Sequence, residues 1–327
     1  MQEEQVIIIG AGPCGMSAAI ELKKLGIDAL LIEKGNVVNS IYHYPTHQTF
    51  FSSSEKLEIG EIPFITERQK PVRNEALAYY RAVAERETLR IHSFEQVTNV
   101  TKEENGFYLR TLRNDHADKQ YYAKYVIVAT GYYDQPNPLG VEGEELEKVM
   151  HYFKEAHPYF NKNVVVVGGK NSAADATLEL VKAGANVTVL YRGEEYSKSI
   201  KPWILPQFEA LVRKEIVDME FCAHIKEITE NEVVYTCKGE EKRISNDFVF
   251  AMTGYRPNHQ FLTSMGVDMD EKTGRPTFDE DTMETNINDI YIAGVIAAGY
   301  NNNEIFIENG RFHGAQIARS ICDKEED

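Results

Sequence analysis

Apolar, mostly β-branched runs alternate with segments of helical period along this chain, and the same succession occurs twice. Residues 6–9 (Val-Ile-Ile-Ile) show no polar face, the pattern of a parallel strand buried on both sides. A glycine-containing turn follows, then a helical pattern through Leu25 that Gly26 can stop in a left-handed conformation, then a strand over 29–32 ending at Glu33. Residues 164–167 (four valines), a second glycine turn, a helix over 172–182 with Gly184 beyond it and a strand over 187–190 ending at Tyr191-Arg192 repeat that order. Between the two units the pattern predicts a helix over 73–86 and alternating segments around 91–100, 107–111 and 121–125, a small antiparallel layer. An apolar strand over 126–129 then runs into Thr130-Gly131. In the second half, 233–237 and 247–252 flank the turn Lys238-Gly239-Glu240, resemble a second antiparallel layer and end at Thr253-Gly254. A strand over 290–294 and a helix over 308–322 are too short to stand alone and are expected to complete the first unit.

Pro136, Pro138 and Gly140 punctuate the crossover between the units. The expected fold class is therefore α/β, two Rossmann-like three-layer dinucleotide-binding domains with the second inserted in a split first one, at 1–137, 138–258 and 259–327. Residues 39–64 have no sustained period, carry Tyr42, Tyr44, Phe50 and Phe51 ahead of Ser52-Ser53-Ser54, and read as a long irregular loop, a type that is usually functional or disordered.

The two turns hold the candidate chemistry. In Gly10-Ala11-Gly12-Pro13-Cys14-Gly15 the first glycine allows a tight turn, the second lets backbone approach a pyrophosphate and the third lets helix pack on strand, while N–H groups at the helix start face phosphate. Glu33, 18 residues beyond Gly15, fits an acceptor for ribose hydroxyls. The second turn, Gly168-Gly169-Lys170-Asn171-Ser172-Ala173, places Lys170 where the middle glycine normally stands, so a charged donor replaces close backbone approach. Arg192 follows the next strand at the position where an acid would select NAD, and a guanidinium suits a 2′-phosphate. The pair of ligands expected is FAD and NADPH. Lys198 and Lys201 lie close behind Arg192 and either add charge or are only solvated.

Composition narrows the class. The chain has 327 residues, room for two cores, with 43% apolar and 26% charged residues, the values of a globular protein. A net charge of −16 without a basic run argues against nucleic acid or an anionic membrane. No signal-peptide pattern and no long apolar span occur, so a cytoplasmic location is expected. Cys14, Cys222, Cys237 and Cys322 show no C-x-x-C or metal spacing, and Pro45 between His43 and His47 breaks the helix that would align them as ligands, so no metal is expected. Cys222 and Cys237 fall in expected strands, where burial as small hydrophobes is the better reading.

These two fingerprints, Ala129-Thr130-Gly131, Thr253-Gly254-Tyr255-Arg256-Pro257-Asn258 and the returning strand resemble the thioredoxin-reductase-like two-domain flavoproteins through almost the whole chain. The redox Cys-x-x-Cys usual there is missing. Gly12-Pro13-Cys14-Gly15, residues 45–60 and 167–173 are more narrowly similar to the bacillithiol-disulfide reductases. The resemblance implies an NADPH-dependent flavoprotein reductase acting on a low-molecular-weight disulfide, bacillithiol disulfide, as a cytoplasmic homo-oligomer without nucleic-acid or membrane partners. The candidate FAD residues are Gly10, Gly12, Pro13, Cys14, Gly15, Glu33, Lys34, Ser52, Thr130, Gly131, Gly294 and Val295. Those for NADPH are Gly168, Gly169, Lys170, Asn171, Ser172, Ala173, Arg192 and Gly254. Val295 stands where relatives carry an aspartate, and Asn301 to Asn303 are candidates to replace its hydrogen bond. Cys14 is the candidate redox thiol, because no other cysteine has a partner; the bland reading is a small side chain packing the loop. A ferredoxin or flavodoxin NADP reductase, a flavin monooxygenase and a redox-sensing FAD module are the alternatives.

Overall fold

The computed structural model describes residues 1–301 and 304–326. The chain divides into two compact units, one made of Met1–Tyr42, Gln48–Gln135 and the chain from Arg256 onward, the other of His43–His47 and Pro136–Tyr255.

The first unit opens with β1 (Gln2–Ile9), α1 (Pro13–Lys24), β2 (Leu30–Glu33), the short α2 (Asn39–Tyr42) and α3 (Arg73–Arg86). It continues through β3 (Arg90–Ser93), β4 (Glu95–Glu103), β5 (Gly106–Arg113) and β6 (Asp118–Val128). β1 lies between β2 and β6, parallel to both, with Ile7 opposite Leu30 on one side and Val126 on the other. Ile7 and Ile8 are fully buried, each such side chain contributing about 1.5–3 kcal/mol of transfer free energy. α1 starts at Pro13, whose missing N–H costs nothing at a helix start, and ends where Gly26 turns to φ +85 and Ile27 N–H closes on the Leu22 carbonyl at 3.0 Å. The segments expected as 121–125 and 126–129 are one strand: one edge of β6 pairs with β1 from Tyr121 to Val128, and the first half of its other edge pairs with β5. The expected 91–100 run is instead two strands, broken by Phe94 at φ +57, with β3 parallel to β2 and β4 antiparallel to β5. The aromatic loop is tied to α3: Tyr80 Oη donates to the Leu57 carbonyl at 2.8 Å, Tyr79 Oη to that of Ile62 at 2.8 Å, and the Phe64 and Tyr79 rings stack at 4.2 Å.

The second unit contains β7 (Val149–Met150), β8 (Asn163–Val167), α4 (Asn171–Lys182), β9 (Asn186–Tyr191), α5 (Leu205–Arg213) and β10 (Val217–Phe221). β11 (Ala223–Ile228), β12 (Glu232–Cys237), β13 (Glu240–Ser245) and β14 (Phe248–Ala251) complete it. Its five-stranded parallel sheet has the order β10-β9-β8-β14-β7, and Val164, Val166, Leu180, Phe208 and Phe250 pack one face of it into a core. The expected pairing of 233–237 with 247–252 is corrected here. Across the turn at Gly239, β12 pairs with β13, and β14 joins the parallel sheet beside β8. The physical reason is legible afterwards: Phe-Val-Phe-Ala has no polar face and suits a strand covered on both sides, whereas Glu-Glu-Lys-Arg-Ile-Ser is a solvated edge strand with little apolar pattern. Cys237 is buried in β12, but Cys222 falls between β10 and β11 at φ +56 rather than in a strand. Residues 43–47, expected within the first unit's loop, belong to the second: Thr46 N–H donates to the Lys154 carbonyl at 2.9 Å, and the His47 ring meets Phe153 edge-on.

The chain returns with α6 (His259–Ser264), β15 (Ile290–Ile292), α7 (Ile307–Gly310) and α8 (His313–Glu326). β15 takes the second half of the β6 edge, Ile290 opposite Val126, and so completes a five-strand parallel stack with β3, β2, β1 and β6, as expected for the C-terminal stretch. The single helix expected over 308–322 is two, interrupted at Arg311 and Phe312.

Candidate functional site

At the first glycine turn, Gly10 has φ +110, and a Cβ there would stand 2.6 Å from the Ala129 carbonyl oxygen at the end of β6. A Cβ on Gly15 would run into the Gly10 carbonyl. These two glycines are required by the protein itself. Gly12 is different: its backbone is extended (φ −76, ψ 175), and a Cβ there meets nothing within 4 Å. Gly12 is also the N-cap of α1 and supplies no side-chain acceptor, so the first-turn N–H groups of that helix face the same open side.

Glu33, the expected ribose acceptor, also holds the turn together. One carboxylate oxygen accepts from Ala11 N–H at 2.9 Å and the other from Gly35 N–H at 2.8 Å. Burial pushes its carboxyl up while those two donors favour the charged form. Lys34 is paired with Asp134 at 2.7 Å. Ser52 hydrogen-bonds Glu308 at the start of α7, and the Arg311 guanidinium donates to the Glu55 and Glu58 carbonyls, fixing the 52–58 segment. Gly131 has φ +68 with open space at its Cβ, and the Thr130 hydroxyl is buried with no hydrogen-bond partner among the described residues. Gly294 (φ +82) donates its N–H to His313 Nδ1 at 3.2 Å, which puts the imidazole proton on Nε2; burial lowers the pKa of that ring. His313 thus braces the turn beside Val295. Of the asparagines considered as substitutes, Asn301 Nδ2 bonds Glu304, and Asn302 and Asn303 lie outside the described residues.

The second turn repeats the corner with other residues. Gly168 has φ +147, and its Cβ would meet the Met252 carbonyl beyond β14, the counterpart of Ala129. Ala173, buried at 1% exposure, stands where Gly15 stands in the first turn. Lys170 is the N-cap of α4, extended, and its side chain leaves the helix start uncapped. Gly169, a candidate for NADPH, also has a packing role, since a Cβ on it or on Gly193 would enter the Tyr191 ring. Tyr191 therefore lies against the loop and brings the following Arg192 next to it. The Arg192, Lys170 and Lys198 side chains are exposed and have no polar or ring partner among the described residues. Gly254, at φ +87, accepts at its carbonyl from Asn137 N–H (2.9 Å), and Thr253 Oγ1 donates to the Asn137 carbonyl (2.5 Å), a clasp between the two crossover segments.

A family model for pyridine nucleotide-disulphide oxidoreductases matches residues 7–294, taking in both turns. The chain belongs to that family. It is 64% identical over 99% of its length, and 99% of the relative's, to bacilliredoxin reductase Bdr of Bacillus subtilis (strain 168). Among solved structures it is similar to bacillithiol disulfide reductase Bdr (YpdA) from Bacillus cereus, with 65% identity, TM-score 0.98, and 99% and 100% of the two chains covered. The protein of the same name from Staphylococcus aureus gives 58%, 0.95 and the same coverage. The chain is an oxidoreductase with the two-domain, thioredoxin-reductase-like architecture, and its family implies a flavin and a nicotinamide cofactor. The residues fit such groups: an open Gly12 at an uncapped helix start and an orphaned buried Thr130 hydroxyl in one unit, an uncapped α4 beside unpaired cations in the other. No helix among the described residues is long and apolar enough to cross a membrane, and no His, Cys, Asp or Glu group among them could hold a metal.

Cys14 is the second residue of α1, and its sulfur is wedged between Gly294 and Gly310: Cβ atoms built on those glycines would lie 2.8 and 3.0 Å from Sγ. Burial, reinforced by the Glu308 carboxylate, pushes the thiol up to about 12. Helix-start N–H groups do not offset that enclosure. Against an ordinary thiol near 9.0, the thiolate fraction at neutral pH is lower by about a thousandfold. Iodoacetamide at pH 8 is therefore expected to label Cys14 far more slowly than Cys322, read by peptide mass spectrometry over time. Equal labelling rates in the folded protein would show that the sulfur is not enclosed.

Proposed function

We propose that this oxidoreductase takes electrons from NADPH through FAD to a low-molecular-weight disulfide, bacillithiol disulfide. The observation that carries the two-cofactor part is the duplicated corner, each copy with an uncapped helix start. The substrate rests on the likeness to the B. cereus and S. aureus proteins of that name. When bound, the two cofactors supply a two-electron transfer: NADPH and a proton are consumed, the S–S bond breaks and two thiols form.

In this reading the first unit, Met1–Tyr42, Gln48–Gln135 and the chain from Arg256 onward, is the FAD domain, and the second, His43–His47 and Pro136–Tyr255, is the NADPH domain. Gly12 gives room to the FAD pyrophosphate, the α1 N–H groups face it, and Glu33 keeps Ala11 and Gly35 in the turn that presents them. Thr130 and Gly131 border the same side. Lys170 and Arg192 meet the phosphates of NADPH. Four free cysteines suit the reducing cytoplasm, where we place the reaction.

Cys14 is the redox thiol of this proposal, supported by its place in the first loop, which no other cysteine shares. Its enclosure sets a condition: the sulfur must be uncovered from Gly294 and Gly310 and lose its proton before it can attack a disulfide. A second reading, a bacilliredoxin as electron acceptor, rests on the likeness to the B. subtilis bacilliredoxin reductase.

An acceptor panel with NADPH oxidation as readout decides among bacillithiol disulfide, oxidised bacilliredoxin, glutathione disulfide, ferredoxin and oxygen. The expected result is fastest turnover with bacillithiol disulfide, abolished in Cys14→Ala while flavin content is unchanged. Preference for ferredoxin, or oxygen consumption with product oxygenation, would contradict the substrate, and undiminished turnover in Cys14→Ala would remove the thiol from the mechanism. Arg192→Ala is expected to raise KM for NADPH by about tenfold and leave KM for NADH nearly unchanged, the loss of a charge-assisted phosphate contact. Equal losses with both nucleotides would make Arg192 a structural residue.

A further inference from the structure

Asn171 is the first residue of α4, and both ends of its carboxamide are bonded to one stretch of backbone. Nδ2 donates to the Ser199 carbonyl at 3.0 Å, and Oδ1 accepts from Lys201 N–H at 2.9 Å. The orientation of the amide is therefore determined, since a flip would set oxygen against oxygen and N–H against N–H. The clamped segment is stiffened by the Ser197–Ser199 hydroxyl contact at 2.8 Å and carries Lys198 and Lys201. On the other side of the turn, the Tyr191 ring packed on Gly169 fixes where Arg192 leaves β9. Three separate segments that carry basic residues thus meet at one helix start, in a chain whose net charge of −16 otherwise repels a phosphate dianion.

We propose that Asn171 is a positioning residue for nucleotide specificity: by holding the 197–201 segment it places Lys198 and Lys201 against a ribose 2′-phosphate. Preference for the phosphorylated nucleotide is then a property of this clamp as well as of Arg192. The inference rests on the NADPH reading and assigns it a further determinant. Alanine is well tolerated at a helix start, so Asn171→Ala removes the clamp without removing α4.

The test uses the full-length flavin-loaded protein and isothermal titration calorimetry with 2′,5′-ADP and 5′-AMP. Asn171→Ala is expected to raise Kd for 2′,5′-ADP about tenfold and to change that for 5′-AMP less than about twofold. In a Lys198→Ala, Lys201→Ala background the same substitution should add nothing, because the clamp acts through those lysines. Equal weakening of both ligands, or a full additional loss in the lysine-free background, would overturn the proposal. A parent protein that does not prefer 2′,5′-ADP over 5′-AMP would overturn the NADPH reading itself. A preference kept in Asn171→Ala and lost in Arg192→Ala would overturn the clamp alone.

Discussion

In each unit the chain leaves a strand buried on both faces through a corner that is crowded on one side and open on the other. The crowding comes from the next parallel strand: the carbonyl of Ala129 beyond β6 sits against Gly10, and that of Met252 beyond β14 against Gly168. Only a glycine at positive φ can turn there. Because the turn is made by backbone, the helix that follows starts with no side-chain cap in either unit. Unsatisfied N–H groups at a helix start favour an anion. The open Gly12 in one unit and the unpaired cations around Lys170 in the other are consequences of that corner, and the proposed cofactor placement follows from both.

The two corners differ in how they meet an anion. The first relies on backbone and on a buried carboxylate, Glu33, that fixes the turn from behind. The second closes the space differently, with a tyrosine ring against Gly169 and Ala173 packed where Gly15 would be, and has a lysine, Lys170, at the N-cap where the first has Gly12. Backbone N–H groups suit an enclosed pyrophosphate, while long cationic side chains suit an exposed phosphate monoester. Cys14 shares the first corner but not its polarity, since its sulfur points into the glycine cleft and beside Glu308.

Much of this was legible in the sequence, because short-range patterns specify it. Four valines before a glycine turn, a helix over 73–86 and a terminal strand that returns to the first sheet were all read from period and punctuation, and α3 begins and ends where expected. What escaped depends on contacts between distant residues. β13 is a polar edge strand without an apolar signature, so adjacency in sequence suggests β14 as the hairpin partner of β12, a place that β13 takes while β14 joins the parallel sheet. The assignment of 43–47 to the second unit rests on Thr46 reaching Lys154, which no local pattern encodes. Neither the Asn171 clamp nor the role of Gly169 under Tyr191 has a sequence signal beyond the composition of the loop itself.

The account depends most on the open side of the first corner holding the flavin cofactor's phosphates, and flavin occupancy in Gly12→Ala measures that directly. The backbone at Gly12 is one that alanine adopts freely, and its Cβ would touch no protein atom within 4 Å. The variant should therefore fold with an unchanged thermal transition when compared with parent protein stripped of flavin, yet purify largely colourless. A Gly12→Ala protein that keeps full yellow occupancy would contradict the placement of the cofactor at this turn.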